Sequence, residues 1–239
     1  MNIADKLMQI ANNQKKVYDK GFADGSAEAQ AISNGAFWDA YQENGNRTDY
    51  QNAFSGRGWT EETFKPKYDI IVSNAYMLFR YCGIKDLGEA LRKAGVRLVI
   101  QHNQMSMTFN NTLLEVIYGI EFPTTFTSLN SCFHYNSYLR EIRVPIPVME
   151  TTDMNAFANC HELREVSFSG AIGKSLNLQW SRFLSYASIV NIFQTLSSNV
   201  SGQTLTLSEE AVADAFDGID SQEWTDLVAT KSNWKITLI

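Results

Sequence analysis

The sequence predicts an α+β repeat protein: a short solenoid of three to five stacked units, with a helical arm before it and an α/β cap behind it. Three observations carry that reading. The frame F-x-x-C-x-x-L-x-x-I recurs, with phenylalanines at Phe79, Phe109, Phe133, Phe157 and Phe183 that lie 30, 24, 24 and 26 residues apart. A small polar residue or cysteine holds one fixed place in the first four copies. The piece after each leucine alternates with period two, as in Arg140-Glu141-Ile142-Arg143-Val144 and Arg164-Glu165-Val166-Ser167-Phe168, which reads as a strand. Units of this length with such a skeleton form the leucine-rich-repeat pattern, and stacking them shares a core that no single unit could bury.

The copies differ in quality. Phe157, Cys160, Leu163 and Val166 fill the frame, and so do Phe133, Asn136, Leu139 and Ile142. Two units are one residue tighter: Phe79, Cys82, Ile84 and Leu87, and Phe109, Thr112, Leu114 and Ile117. A degenerate fifth is Phe183, Tyr186, Ile189 and Ile192. Pro145 and Pro147 are expected to close the strand before them. The expected organisation is an arm over 1–32, an aromatic capping region over 33–73, repeats over 74–197 and a cap over 198–239.

In the arm, Ile3, Leu7, Ile10 and Val17 form a heptad seam on a helix over residues 2–20. Two heptads are too short to stand alone in water, and the hinge Gly21 to Gly25 sets the helix apart, so oligomerisation or docking is expected of it. The next region carries Phe37, Trp38 and Tyr41 on one helical face, then Tyr50, Phe54, Trp59 and Phe64. Such rings could stack on a sugar or cap the open end of a repeat core. In the cap, Thr204 to Leu207 reads as a strand. Ser208 and Ser221 each begin a helix, and Trp234 to Ile239 reads as a final strand.

Composition limits the partners. The formal net charge is −6 and the longest basic run is Lys15-Lys16, so nucleic acid and anionic membranes are poor fits. No apolar run reaches the length of a membrane span. The first residues lack the pattern of a secretory signal, and the odd set Cys82, Cys132 and Cys160 suggests no disulfide framework. A chain made in a bacterial cytosol is the expectation.

Cys160-His161-Glu162 is the stretch that most resembles an active site. In the repeat frame, however, Cys160 stands where Cys82, Thr112 and Asn136 stand, and interchangeable residues suit backbone hydrogen bonding at a turn better than nucleophilic attack. Adjacent side chains also converge poorly on one metal. Cys132 and His134 would share a strand face, and His102 lies in a loop. Glu61-Glu62 and Glu209-Glu210 read as helix starts favoured by the macrodipole. The sequence contains no GxxxxGK[ST], GxSxG or HExxH motif. No catalytic residue, cofactor or metal site is therefore assigned.

The stretches FANCHELREV and FHYNSYLREI resemble BspA-like leucine-rich repeats from Asn74 to about Ile192. The flanks YDKGFADG, FWDAYQENGNRTDYQNAFSGRGW, ETFKPKYDI and SGQTLTLSEEAVADAF resemble a subgroup found in gut-bacterial phages and prophages. The resemblance implies a non-enzymatic virion protein of tail, baseplate or fibre type, located in the virion. Its implied partners are other virion proteins or a host-surface ligand, as a homo-oligomer that could be a trimer. A bacterial surface adhesin is the alternative, and a glycan-acting enzyme is a third reading.

The repeat frame makes a sharp distinction between neighbours. His161→Ala should leave stability and any activity almost unchanged, while Leu163→Ala should cost about 2–5 kcal/mol in urea unfolding, as for other buried leucines. Loss of an activity in folded His161→Ala would overturn the repeat reading of the triplet.

Overall fold

The computed structural model describes residues 50, 53–55, 59–147 and 155–239. In chain order these form β1 (Ile70–Val72), α1 (Leu87–Ala94), β2 (Leu98–Ile100), β3 (Val116–Ile117), β4 (Ile120–Glu121), β5 (Glu141–Ile142), β6 (Ile146–Pro147), β7 (Phe168–Ser169) and β8 (Leu176–Leu178). Then come α2 (Tyr186–Thr195), β9 (Gln203–Leu207), α3 (Glu209–Ala215), α4 (Gln222–Ala229) and β10 (Trp234–Leu238). The arm seam, Ile3, Leu7, Ile10 and Val17, lies outside the described residues, as do Phe37, Trp38 and Tyr41.

This architecture corrects the expected leucine-rich-repeat solenoid. The strands are two to five residues long and fall into four separate parallel sheets, ordered β1-β2-β4, β3-β5, β6-β7 and β10-β9-β8. No sheet among the described residues runs through all the units. The alternating segments pair only in part: Arg140–Val144 contributes two strand residues, and Arg164–Phe168 contributes a single bridge at Glu165 and the start of β7. Pro145 follows β5, but Pro147 does not close that strand: it belongs to the next one, β6, and pairs with Ser169. The fifth copy is not a unit of the same kind. Phe183 is exposed, and Tyr186, Ile189 and Ile192 lie on α2.

Turns rather than strands join the phenylalanine segments. Ala75–Leu78, Phe79–Cys82, Met105–Thr108, Leu129–Cys132 and Phe157–Cys160 are each closed by an N–H to C=O bond from the fourth residue to the first. The third residue of each has positive φ: Met77, Tyr81, Met107, Ser131 and Asn159, at 51–61°. That is the backbone of a type II turn. The turns then stack. Phe79 N donates to Thr108 O at 2.8 Å, Phe109 N to Cys132 O at 2.9 Å, and Phe133 N to Ala156 O at 2.9 Å. Each left-handed residue other than glycine costs roughly 1–2 kcal/mol, so something must hold these turns in place.

The phenylalanines do. Phe79, Phe109, Phe133 and Phe157 form a column with ring centroids 5.5, 5.6 and 5.2 Å apart and planes within 14° of parallel. Parallel rings in contact about 3.5–4 Å apart reach such centroid distances only when slid sideways, the arrangement their quadrupoles favour. All four are at most 1% exposed, and burying a phenylalanine stabilises by about 1.5–3 kcal/mol. At one end Phe54, Trp59 and Phe64 meet each other edge to face, and Phe54 and Phe64 lie 5.0 and 6.1 Å from Phe79. At the other end Phe168 turns its edge to Phe157.

The frame's remaining residues line this column. Cys82, Leu87, Leu114, Ile117, Asn136, Leu139, Ile142, Cys160, Leu163 and Val166 are all buried. Asn136 binds in two directions: its Nδ2 donates to Phe109 O at 2.7 Å, and its Oδ1 accepts from Thr112 N and Oγ1, both at 2.8 Å. Phe109 O and Thr112 N take no partner from the backbone ladder, so a side chain must supply one.

Helices account for the unequal spacing and close the far end. α1 occupies the longest interval, with Asp86 Oδ1 accepting from Glu89 N at 2.8 Å and left-handed Gly95 (φ 70°) ending it. α2 begins at Ser185, whose Oγ accepts from Ser188 N. β8, β9 and β10 are parallel neighbours joined by helical crossovers, as parallel strands require. The strand and helices read from the C-terminal sequence correspond to β9, α3, α4 and β10. Ser221 caps α4 through its side chain, but Ser208 makes no side-chain cap bond.

Asn136→Ala should cost on the order of 3 kcal/mol in urea unfolding, because two buried backbone groups lose their partner at about 1–3 kcal/mol each. Tyr138→Ala, at an exposed position two residues on, should change stability by only about 0.5 kcal/mol. Equal losses for the two would show that the buried amide bond contributes nothing.

Candidate functional site

The residues with the strongest chemical look are held by the scaffold. Cys160 is fully buried and its Sγ donates to Phe133 O at 2.9 Å, the same kind of carbonyl that Asn136 serves one unit earlier. Burial pushes its thiol up to about 12, and Cys82 likewise. A thiol that keeps its proton at neutral pH is a poor nucleophile and metal ligand. His161 is half-buried beside it, and Glu162 lies 3.7 Å from Arg164.

The other histidines also have local partners. His102 Nδ1 accepts from Ala75 N at 3.3 Å. His134 lies on a turn rather than the expected strand, so it shares no strand face with buried Cys132. Its Nε2 is 3.4 Å from Asn159 Nδ2, its ring stacks on Tyr135 at 4.1 Å, and burial lowers its pKa. Among the described residues no group of three or more His, Cys, Asp or Glu side chains could hold a metal ion. No described helix is long and apolar enough to cross a membrane.

Glu61 has a role the sequence did not suggest. It sits in a turn, not at a helix start, and its Oε1 accepts from Lys85 N at 2.6 Å and Asp86 N at 2.8 Å. From there a second backbone ladder runs across the units: Glu115 N donates to Lys85 O, Arg140 N to Glu115 O, Arg164 N to Arg140 O, and Ser185 N to Arg164 O. At its far end α2 supplies Ser188 Oγ to Val166 N at 3.0 Å and Asn191 Oδ1 to Phe168 N at 2.8 Å. Between this end and α2 lies an open groove of about 360 Å³. Its polar groups are engaged with each other: Glu141 pairs with Arg143 at 2.6 Å, and Glu165 accepts from Ser185 Oγ at 3.0 Å. The groove is a seam of the scaffold.

In the aromatic region Tyr50, Phe54, Trp59 and Phe64 are at most 1% exposed and offer no ring face for a sugar, and only Tyr68 among its described rings stands out, at 53%. Exposed apolar and aromatic side chains appear elsewhere, along the stacked units. Tyr81 is 50% exposed, Leu113 46%, Tyr135 54%, Tyr138 57% and Phe183 47%. They fall in two columns. The ladder bonds align Tyr81, Asn111, Tyr135 and Asn159 as one, and Leu113, Tyr138, Glu162 and Phe183 each stand two residues before Glu115, Arg140, Arg164 and Ser185, the residues joined by the second ladder. Arg80 covers Tyr81 at 4.6 Å and Arg164 covers Phe183 at 5.3 Å. This exposed edge is the candidate site. A repeat frame that records only core positions misses it, although the residue just before the cysteine or its equivalent reads Tyr, Asn, Tyr, Asn along the chain.

The buried thiols give a pH test. The unfolded chain releases these protons near the ordinary value of 9.0, whereas the folded chain holds them to about 12. Their contribution is thus complete below about pH 9 and lost as pH rises toward 12, at about 1.4 kcal/mol per pH unit per thiol. Urea midpoints measured from pH 8.5 to 11 should fall less steeply for the Cys82→Ala, Cys160→Ala double variant than for the parent. Identical slopes would show the thiols titrate alike in both states. Comparison with protein-family models, with curated proteins and with solved structures finds no match to this chain.

Proposed function

We propose that the protein is a non-enzymatic recognition component of a phage virion, of tail, baseplate or fibre type, and that it binds through the exposed edge of its turn ladder. The observation that carries the binding role is the alignment of exposed Tyr81 and Tyr135 on one turn ladder, with exposed Tyr138 and Phe183 beside the second ladder. A buried column of rings fixes that backbone, so the exposed groups are presented with little conformational entropy left to lose on binding. The resemblance of the flanking segments to phage and prophage proteins supports the virion setting. Its partners would be other virion proteins or a host-surface ligand, with the seam of Ile3, Leu7, Ile10 and Val17 making a homo-oligomer. No cofactor enters this role.

Induction of a prophage encoding the chain, followed by density-gradient separation and immunoblotting, tests the setting. The protein should sediment with intact particles and stay there through a high-salt wash. Recovery only in the free soluble fraction, or on the bacterial surface, would overturn it. Mass measurement in solution should show an oligomer for the full chain and a smaller species once residues 1–25 are removed.

A further inference from the structure

Tyr81 and Tyr135 occupy backbone positions that suit them badly. Their φ angles are 59° and 61°, a conformation uncommon for any residue but glycine and a genuine outlier for a bulky side chain. The equivalent turns place Asn111 (φ 53°) and Asn159 (φ 61°) there, and asparagine tolerates this region well. Packing rewards the tyrosines only in part, since each leaves about half its surface in water: 50% for Tyr81 and 54% for Tyr135. A strained residue whose side chain stays half in water is an indication of function.

Each ring is also held by the residue before it in the chain. The guanidinium of Arg80 lies over Tyr81 at 4.6 Å, and Arg80 Nη2 donates to Tyr81 Oη at 2.9 Å. His134 lies against Tyr135 at 4.1 Å with planes 21° apart, and its own Nε2 meets the Asn159 amide at 3.4 Å. These contacts orient each ring and leave the rest of its surface exposed. Between the two rings on the ladder stands the exposed amide of Asn111, and beyond Tyr135 stands Asn159. Adjacent rungs of a parallel ladder are about 4.8 Å apart, so the two tyrosines stand roughly 10 Å from each other.

The geometry points to a binding site for a neutral, extended glycan, lying along the ladder with alternate pyranose rings stacked on Tyr81 and Tyr135. An extended glycan advances by about one ring per rung, which brings the intervening ring to Asn111 and the following one to Asn159. The amides then bond hydroxyls while the aromatic rings meet C–H faces. A protein partner fits less well, because protein hot spots are contiguous and inserted into desolvated pockets. A polyanion fits less well too: the net charge is −6, and the neighbouring column carries Glu162. This inference rests on the binding role proposed above, but not on the virion setting.

Calorimetric titration of the full chain with cellohexaose, mannohexaose and chitohexaose tests it, with a hexamer of galacturonic acid as the anionic control. At least one neutral hexamer should bind, its disaccharide should bind roughly tenfold more weakly, and the anionic hexamer should not bind. Tyr81→Asn and Tyr135→Asn should each lower hexamer affinity roughly tenfold, the scale of one lost aromatic contact. Neither should lower Tm, because asparagine relieves the left-handed strain. No binding of any neutral hexamer at millimolar concentration would overturn the proposal, as would affinity that both variants leave unchanged. Glycan binding by a protein absent from virions would overturn the virion setting alone. Particle association without glycan binding would overturn the glycan site alone.

Discussion

The rest of the structure depends on the slid stack of Phe79, Phe109, Phe133 and Phe157. Turns with left-handed residues at Met77, Tyr81, Met107, Ser131 and Asn159 have no reason to persist singly. Each costs more than one backbone hydrogen bond returns, since a net bond contributes only about 0.5–1.5 kcal/mol. Stacked, every turn either begins with a phenylalanine of the column or ends just before one, and every ring brings burial as well as ring contact. The column therefore couples units that are individually unstable. The same coupling explains the ring clusters at its ends. An unstacked terminal phenylalanine would face water, and Phe54 with Phe64 at one end and Phe168 at the other prevent that.

A ladder of backbone groups has the same end problem in polar form. Unpaired N–H groups at the last rung are costly if buried and adhesive if exposed. Here side chains imitate the missing rung. The Glu61 carboxylate takes Lys85 N and Asp86 N at one end. At the other, Ser188 and Asn191 take Val166 N and Phe168 N. Those two lie three apart on α2, which places both on one helix face. A helix can thus replace a strand at the edge without changing the backbone pattern it covers.

What the sequence made legible was position rather than backbone. The frame picked out Phe79, Phe109, Phe133 and Phe157 and their buried companions, because apolar spacing reports which side chains leave water. It did not report how the chain travels between them. Period-two alternation in Arg164–Phe168 suggested a strand, yet the segment satisfies the same alternation with one bridge at Glu165 and only its last residue in β7. The expected single solenoid was therefore the wrong generalisation from a frame whose first four copies are buried and whose fifth exposes Phe183 and Tyr186. Left-handed backbone was invisible for a related reason. Glycine would have signalled it, but Tyr81, Tyr135 and Met77 carry no such signal. The C-terminal elements were easier, since a strand followed by serine and a 3.6-residue apolar rhythm is a local pattern.

The Cys160 position shows why a chemical reading of short motifs can fail in such a molecule. The turn carbonyl of the preceding unit needs one buried donor. A thiol meets that need at Phe133 O, and an amide meets it at Phe109 O with a second bond to Thr112. The position therefore accepts any small donor, and a cysteine beside a histidine arises without a reaction to perform. The residue one place earlier obeys the opposite rule. Its backbone favours asparagine, its side chain faces solvent, and nothing in the core selects tyrosine. Chemistry confined to the buried side of each turn is shared scaffold, and chemistry on the exposed side is where units differ. Function in a stacked molecule of this kind is to be sought where the side chain departs from what its own backbone prefers.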